Sequence, residues 1–498
     1  MTHRAKICAA LVSALGLCAC ASGAKLRAPE VALPLAFEAK QAAAPAQNLD
    51  RWWDAFGDAQ LTALVDEALD HAPDARAALA RLAEARAVRF EATAGYNPQG
   101  ALTGSAVDQH NNATISGINL TGAGGSSLAS LFLPQSETKT YAGAFNVSWE
   151  LDLFGRRRNA SKGADADLAA ARFDYEASRL ALAANVATTL FQARGLAVQL
   201  EDARETERIA RELAVIADKK AERGLGSAAD AARTEADAAN AGAETARLEA
   251  ASQAARRTLL TLLGRGAAPV SSLPIEAKTA APPPPPATAP SDLLQRRPDV
   301  REAEFRLRSA SRALQGAKLA LFPTFTLLPT GSISRVESAY VQESRIWTIG
   351  AGASLPVLDR PRLLAVVRQQ RAHGEQMVIA YEQAVQNAFR DAENGLVTAE
   401  ADQRRVALLT KAEAKARYAY DASRKGYDVG LVDMTTLLDV ERSWRASRSA
   451  LTSVEVGALT DTVSLYKALG GGWTPLSDTT AIRSQPTQVG HLQQGRTP

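Results

Sequence analysis

Beyond residue 20 the chain has no cysteine: Cys8, Cys18 and Cys20 are its only three. A disulfide scaffold, a zinc finger and an iron–sulfur cluster are thereby excluded from the rest of the sequence. Aromatic residues are only 5% of the 498 positions, while Ala recurs in nearly every segment, a composition suited to long, closely packed helices. Neither sign of charge dominates, with 57 Lys+Arg against 54 Asp+Glu and a formal charge of +3. Nucleic-acid binding by bulk charge is excluded by that balance. After the N-terminus no run approaches the roughly 18 consecutive apolar residues of a membrane helix, so any later membrane crossing requires a β-barrel.

The N-terminus is different in kind. Arg4 and Lys6 precede an apolar run from Ile7 to Leu17 and then small residues, the three-part layout of a secretory signal. The run ends Leu17-Cys18-Ala19-Cys20-Ala21-Ser22-Gly23, which resembles a bacterial lipobox with Cys20 as the first mature residue. Cys18 fits less well because bulky Leu17 would precede the cut. On this reading residues 1–19 are a lipoprotein signal peptide and Cys20 carries the acyl chains. Several such chains anchor stably where one does not. Residues 20–50, rich in Ala and Pro, read as a lipidated tether, and the mature chain starts in the periplasm of a Gram-negative envelope.

A five-proline run at 282–286 cannot be helical. It opens a linker, 282–290, between two similar halves, 51–281 and 291–475. Gly224-Leu225 precedes Leu263-Gly264 just as Gly430-Leu431 precedes Leu469-Gly470, at the same spacing of 40 positions (224 to 264, 430 to 470). Pro73-Asp74 and Pro98 match Pro298-Asp299 and Pro323 at an offset of 225 (73 to 298), whereas the glycine blocks are offset by 206 (224 to 430). The first half therefore holds extra residues between Gly104 and Ser148, a stretch full of Gly, Ser, Asn and Thr that would face the cell exterior.

Each half alternates in kind. Helical compositions at 73–95 and 298–320 stop before a proline. Strand patterns follow at Ala101 to Val107 and Tyr141 to Leu151, and again at Thr324 to Ser334 and Arg345 to Leu355. Steps of three and four then mark very long helices, 161–222 with 227–263 and 361–425 with 434–469. A 60-residue helix reaches about 90 Å, so the two hairpins, 161–263 and 361–469, read as a rod. The turns Arg223-Gly224-Leu225-Gly226-Ser227 and Gly426 to Leu431 supply the glycines that helix ends need. Four strands leave two unpaired edges in lipid, so subunits must share a barrel. Residues 476–498 are polar and read as a disordered tail.

Several ordered blocks are distinctive together: Trp52-Trp53-Asp54-Ala55-Phe56, Trp149-Glu150-Leu151-Asp152-Leu153-Phe154-Gly155-Arg156, Arg297-Pro298-Asp299-Val300-Arg301, Phe322-Pro323, and Tyr466 to Trp473. With the lipobox they resemble the TolC-like outer-membrane factors, and most of all the NodT-type efflux lipoproteins of resistance–nodulation–division systems. The resemblance covers essentially the whole mature chain. It implies a mainly α fold with a membrane β-barrel part. Duplicated helical hairpins would form a trimeric α-barrel, and four strands per chain would contribute to a shared 12-stranded outer-membrane barrel. It also implies a homotrimer in outer-membrane lipid that serves as the passive exit duct of a tripartite efflux pump, joined to a periplasmic adaptor and an inner-membrane pump. The alternatives are the outer-membrane component of a type I protein secretion system and a structural coiled-coil lipoprotein.

The resemblance places adaptor docking at the hairpin tips, on Gly224, Leu225, Val429, Gly430 and Leu431. It places a periplasmic gate at Tyr427 and Asp230, as a phenol-to-carboxylate link, and at Asp439, as one member of an acidic ring. The family's second link is missing, because Val432 and Ala229 stand in its positions, and Thr436 replaces the other ring aspartate. No catalytic residue, cofactor, metal or nucleic acid is expected. His71, His110 and His373 are isolated, no Gly-x-Ser-x-Gly elbow occurs, and Met1, Met377 and Met434 form no cluster for copper or silver. The basic clusters Arg156-Arg157-Arg158 and Arg296-Arg297 read as solvated or phosphate-facing surface.

Overall fold

The computed structural model describes residues 26–39, 48–110, 137–338 and 340–474. The signal peptide, Cys20, most of the Gly/Ser/Asn stretch and the 476–498 tail lie outside the described residues. In chain order the elements are α1 (Ala59–His71), α2 (Pro73–Ala94), β1 (Gln99–His110), β2 (Glu137–Glu150), α3 (Arg156–Glu222) and α4 (Ala228–Leu262). They continue as α5 (Pro290–Arg296), α6 (Pro298–Leu319), β3 (Thr324–Glu337), β4 (Val341–Ser354), α7 (Arg360–Asp428) and α8 (Met434–Ala468). Among the described residues the fold is mainly helical with one antiparallel sheet. No described helix is long and apolar enough to cross a membrane.

Two spatial units emerge, each drawing on both sequence halves. Of the described residues, the first comprises 26–27, 86–110, 137–167, 307–338 and 340–376; the second comprises 28–39, 48–85, 168–306 and 377–474.

The first unit holds the four-stranded sheet, in the order β1-β2-β3-β4. Residues directly opposite in an antiparallel pair share a face, so the register assigns both faces. Leu102 pairs with Phe145, which pairs with Gly331, which pairs with Trp347. The same face carries Tyr141, Trp149, Leu327, Ile333 and Ile349, because Tyr141 opposes Arg335, Trp149 opposes Leu327, Ile333 opposes Arg345 and Pro329 opposes Ile349. The other face carries Thr103, Asn146, Thr330, Ser332 and Thr348. The first side is thus mainly aromatic and aliphatic, with Arg335 and Arg345 toward one end, and the second mainly hydroxyl and amide, with Val107, Leu328 and Ile346 among them. Leu102, Phe145, Trp347 and Ile349 are all exposed.

At the strand-to-helix junction Arg157 and Arg158 are exposed, as a solvated surface requires, but Arg156 has a structural role. Gly155 turns the chain with φ 77°, and Arg156 Nη2 donates to the carbonyls of Leu319 (2.9 Å) and Phe322 (2.8 Å), closing the C-terminal end of α6. A guanidinium is suited to that role, since the last carbonyls of a helix lack intrahelical donors. Phe154 packs on Phe322 with ring centroids 5.2 Å apart.

The second unit has the main core, in which Trp52, Leu61, Val186, Leu190, Leu260 and Tyr466 are buried together. Trp52 stacks on Tyr466 at 5.7 Å, and Trp473 Nε1 donates to the Arg296 carbonyl at 2.9 Å. Close approach explains the run of glycines after Leu469. A Cβ on Gly470 would run into the Arg296 carbonyl, and one on Gly471 would stand 2.9 Å from the carbonyl oxygen of Leu49. Arg296 and Arg297 also prove to be structural. Arg296 pairs with Asp50 (2.6 Å), while buried Arg297 pairs with Asp299 (2.6 Å) and Asp391 (3.4 Å) and donates to the Ala468 carbonyl (3.2 Å). Burial opposes the Arg297 charge, but the two carboxylates outweigh it and raise its proton affinity. Residues 30–39, without regular structure, are fastened to α7: Glu30 N–H donates to Glu382 and Ala39 N–H to Glu393, both at 2.7 Å.

Candidate functional site at the hairpin tips

Within the second unit the two long hairpins turn by the same device. At the first turn Gly224 N–H donates to the Ala221 carbonyl (3.0 Å) and Leu225 N–H to that of Lys220 (2.8 Å). At the second, Gly430 donates to Tyr427 (3.0 Å) and Leu431 to Gly426 (2.8 Å). Both are Schellman caps, in which a residue with positive φ lets two N–H groups reach back to unpaired carbonyls. Gly224 and Gly430 take φ 70° and 79°, conformations that favour glycine. Gly264 and Gly470 cap α4 and α8 with the same two hydrogen bonds, so the repeated 40-residue spacing is the spacing of helix ends. Ser227 and Asp433 open the return helices: Ser227 Oγ accepts from Ala229 N–H at 3.1 Å, and Asp433 Oδ1 from Thr436 N–H at 2.7 Å. The Thr436 N–H holds the Asp433 carboxyl below the usual carboxylate range.

A Schellman cap commonly tucks its trailing apolar residue against its own helix. Here that residue is turned outward: Leu225 is 76% exposed and Leu431 84%, and neighbouring Val429 is 70% exposed. Each such side chain would contribute about 1.5–3 kcal/mol on full burial. The tips therefore present aliphatic surface with none of the described residues upon it.

The residues expected at the gate fall into two groups. Tyr427 Oη lies 3.5 Å from Lys220 Nζ, whose ammonium is 5.7 Å from the phenol ring centroid. The phenol thus meets a cation of α3, tying one hairpin to the other. Asp230 lies in the first turn of α4, where its carbonyl accepts from Thr234 Oγ1 at 3.0 Å; among the described residues its carboxylate has no hydrogen bond. Asp439 stands between two guanidiniums, 3.9 Å from Arg233 Nη2 and 3.8 Å from Arg442 Nη1. Arg442 Nη2 in turn reaches Asp237 Oδ1 at 2.5 Å. Arg233 and Asp237 of α4 and Asp439 and Arg442 of α8 form a ladder of alternating charge.

Sequence reasoning misses Lys220, Arg233, Asp237 and Arg442. The signal for them is the four-residue step from Arg233 to Asp237, matched by the three-residue step from Asp439 to Arg442 with signs reversed. The ladder borders a cavity of about 390 Å³ lined by Thr206, Leu213, Asp237, Glu441 and Arg445. Its ions are half-exposed, so each pair contributes about 0.2–1 kcal/mol.

Two hairpins, a sheet with one apolar and one polar face, and a helical core joined by the Trp52 and Trp473 segments now stand together. The outer membrane efflux protein profile matches residues 64–265 and 289–471.

The chain belongs to the outer membrane efflux protein family.

It is 30% identical over 432 residues to the pyoverdine export outer membrane protein OpmQ of Pseudomonas putida, covering 86% of this chain and 89% of that one. It is 27% identical over 468 residues to the cation efflux system protein CusC of Escherichia coli O6:H1, covering 92% and 97%. Among solved structures, the outer-membrane channel OprN superposes with a TM-score of 0.73 at 26% identity, covering 91% of this chain and 100% of that one. Members of this family are channels that work with an adaptor and an inner-membrane pump. This chain is an outer-membrane efflux channel, the exit duct of a tripartite pump.

Proposed function

We propose that the working channel is a homotrimer, anchored in the outer membrane by acylated Cys20 and passing small molecules outward without chemistry of its own. The observation that carries this is the sheet. Its strands are 12–14 residues long, one face is apolar, and β1 and β4 each pair on one side only within the described residues. Unpaired backbone groups are not tolerated in hydrocarbon. Three copies supply twelve strands, an even number within the range of closed barrels. Leu102, Phe145, Trp347 and Ile349 then face lipid, with Tyr141, Trp149 and Trp347 as interfacial anchors, while the Thr, Ser and Asn face lines the pore.

At the hairpin tips, Gly224, Leu225, Val429, Gly430 and Leu431 dock the adaptor, whose apolar residues cover the three exposed side chains. Asp230, Tyr427 and Asp439 belong to the gate, with Lys220 and the charge ladder as its further ties. Half-exposed ion pairs suit a lock that must open, since docking of a few aliphatic side chains outweighs them. The cargo is a small molecule rather than a polypeptide, by likeness to relatives named for pyoverdine export, cation efflux and toluene efflux.

Native mass spectrometry of the detergent-purified protein tests the assembly. The expected species is three chains, each with a lipid mass on Cys20 that disappears in Cys20→Ala. A detergent-free monomer would overturn the reading.

A further inference from the structure

Away from the tips, two carboxyl groups meet between α7 and α8. Asp402 of α7 is 3% exposed, and the half-buried Asp461 of α8 lies within hydrogen-bonding reach of it. One helical turn away on each helix, Ala399 and Leu465 belong to a single buried apolar cluster, so the pair is set beside a dry contact. Asp402 Oδ1 accepts from Arg405 Nη1 at 3.2 Å. Asp402 Oδ2 is fully buried and receives no N–H or hydroxyl from the described residues. Arg405, on α7 and largely exposed, is the cation acting on Asp461; the other charge acting there is Asp402 itself.

One exposed guanidinium cannot offset two touching carboxylates beside an apolar cluster. A proton on Asp461 eases both difficulties together. Its O–H can donate to the Asp402 carboxylate, whose Oδ2 has no donor among the described residues, and the like-charge repulsion disappears, as in other carboxyl pairs that hold a single proton. We propose that Asp402 and Asp461 share one proton, which clasps α7 to α8, and that losing it loosens this contact. The inference concerns the inside of one hairpin and stands apart from the trimer, lipid and docking readings.

The direction of the effect follows from linkage. Burial, then the charge of Asp402, raise the proton affinity of Asp461 above the ordinary carboxylate value. A group of this kind adds stability that is complete below its unfolded pKa and is lost as pH rises through its folded pKa. The clasp is therefore tightest in acid and opens toward neutrality.

The test is infrared difference spectroscopy of the full-length, detergent-purified channel, titrated from about pH 4 to about pH 8, across and above the ordinary carboxyl range. Because burial also raises the Glu176 and Asp202 carboxyls, the quantity read is the Asp461-dependent part of the protonated-carboxyl C=O band: wild type is expected to hold it above the ordinary range, and Asp461→Asn to lose it. Asp402→Asn is expected to return the band to the ordinary range. Heat dissociation followed over the same titration should show wild type losing stability as the band disappears. Asp461→Asn, whose amide keeps the donor, should lack that loss. A wild-type spectrum with no such band would overturn the proposal even if a variant failed to fold, and so would an unchanged band in folded Asp461→Asn.

Discussion

The four glycine caps make one physical argument measurable, because they share a backbone conformation and differ only in what surrounds them. Gly224, Gly264, Gly430 and Gly470 have φ of 70°, 76°, 79° and 73°. Alanine at any of them carries the left-handed penalty, about 1–2 kcal/mol. At Gly224 and Gly430 a new Cβ meets nothing within 4 Å, so that penalty is the whole effect. At Gly264 it would lie 3.2 Å from the His71 carbonyl oxygen and 3.3 Å from Pro73 Cδ, a tight fit that small shifts relieve. At Gly470 it would run into the carbonyl oxygen of Arg296, with the carbonyl carbon at 2.5 Å and Arg297 N at 2.9 Å. Backbone cannot rotate away as a side chain can, and Arg297 is held by two carboxylates. An overpacking term of about 1–3 kcal/mol or more is therefore added. Thermal dissociation of the four Gly→Ala variants should rank Gly224 and Gly430 as mildest, Gly264 next and Gly470 worst. If Gly470→Ala were no more damaging than Gly430→Ala, the close-approach argument for the terminal glycine run would be wrong.

Three further outcomes are expected. Burial pushes the Asp58 carboxyl up, but Arg194, which forms a bidentate pair with it, and the Leu61 N–H outweigh burial and hold it below the usual range. A depressed folded pKa contributes stability that is present above the unfolded value and lost as pH falls; Asp58→Asn should lower stability at neutral pH and flatten the acid side of a stability–pH profile. Ile349→Lys on the apolar sheet face should cost about 2–4 kcal/mol near the bilayer midplane, whereas Thr348→Lys on the polar face should cost little; equal losses in a heat-modifiability assay would refute the face assignment. Arg297→Met removes a buried guanidinium that ties the part-exposed Asp299 and Asp391 to the Ala468 carbonyl. The two carboxylates keep Val300 N–H and Arg390 as donors, so the loss in denaturant unfolding should be about 1–3 kcal/mol, mostly from the buried carbonyl left without its donor.

Much of the architecture is legible because it is written in local chemistry. The glycine and leucine pairs at 40-residue spacing are Schellman caps, which depend on the backbone of a single turn. The four strands are visible in their alternation, but they run on to His110, Glu137, Glu337 and Val341. These ends are mostly polar on both faces and carry no alternating signal. Arg157 and Arg158 are exposed as expected, but Arg156, Arg296 and Arg297 mislead, because charge alone does not reveal a distant partner. Arg156 answers unpaired carbonyls of α6, and Arg297 answers Asp391, far away in sequence. The tips show the same division. Val429, Leu431 and Leu225 can be singled out from the turns, whereas the meeting of Tyr427 with Lys220 and the ladder from Arg233 to Asp237 depend on how two helices lie against each other. Contacts far from the tips also join the two hairpins, such as the close approach of Gly195 on α3 to Val456 on α8.

The central claim is that this chain makes a pore whose entrance is held by ties between its hairpins. Single-channel conductance in a planar bilayer tests it most directly, comparing wild type with Tyr427→Phe, Arg442→Ala and Asp439→Ala. The account predicts a small, cation-selective conductance in wild type that rises when Tyr427 or Arg442 is changed, with cation selectivity falling in Asp439→Ala. Folded, inserted protein that conducts no current in any of the four forms would contradict it.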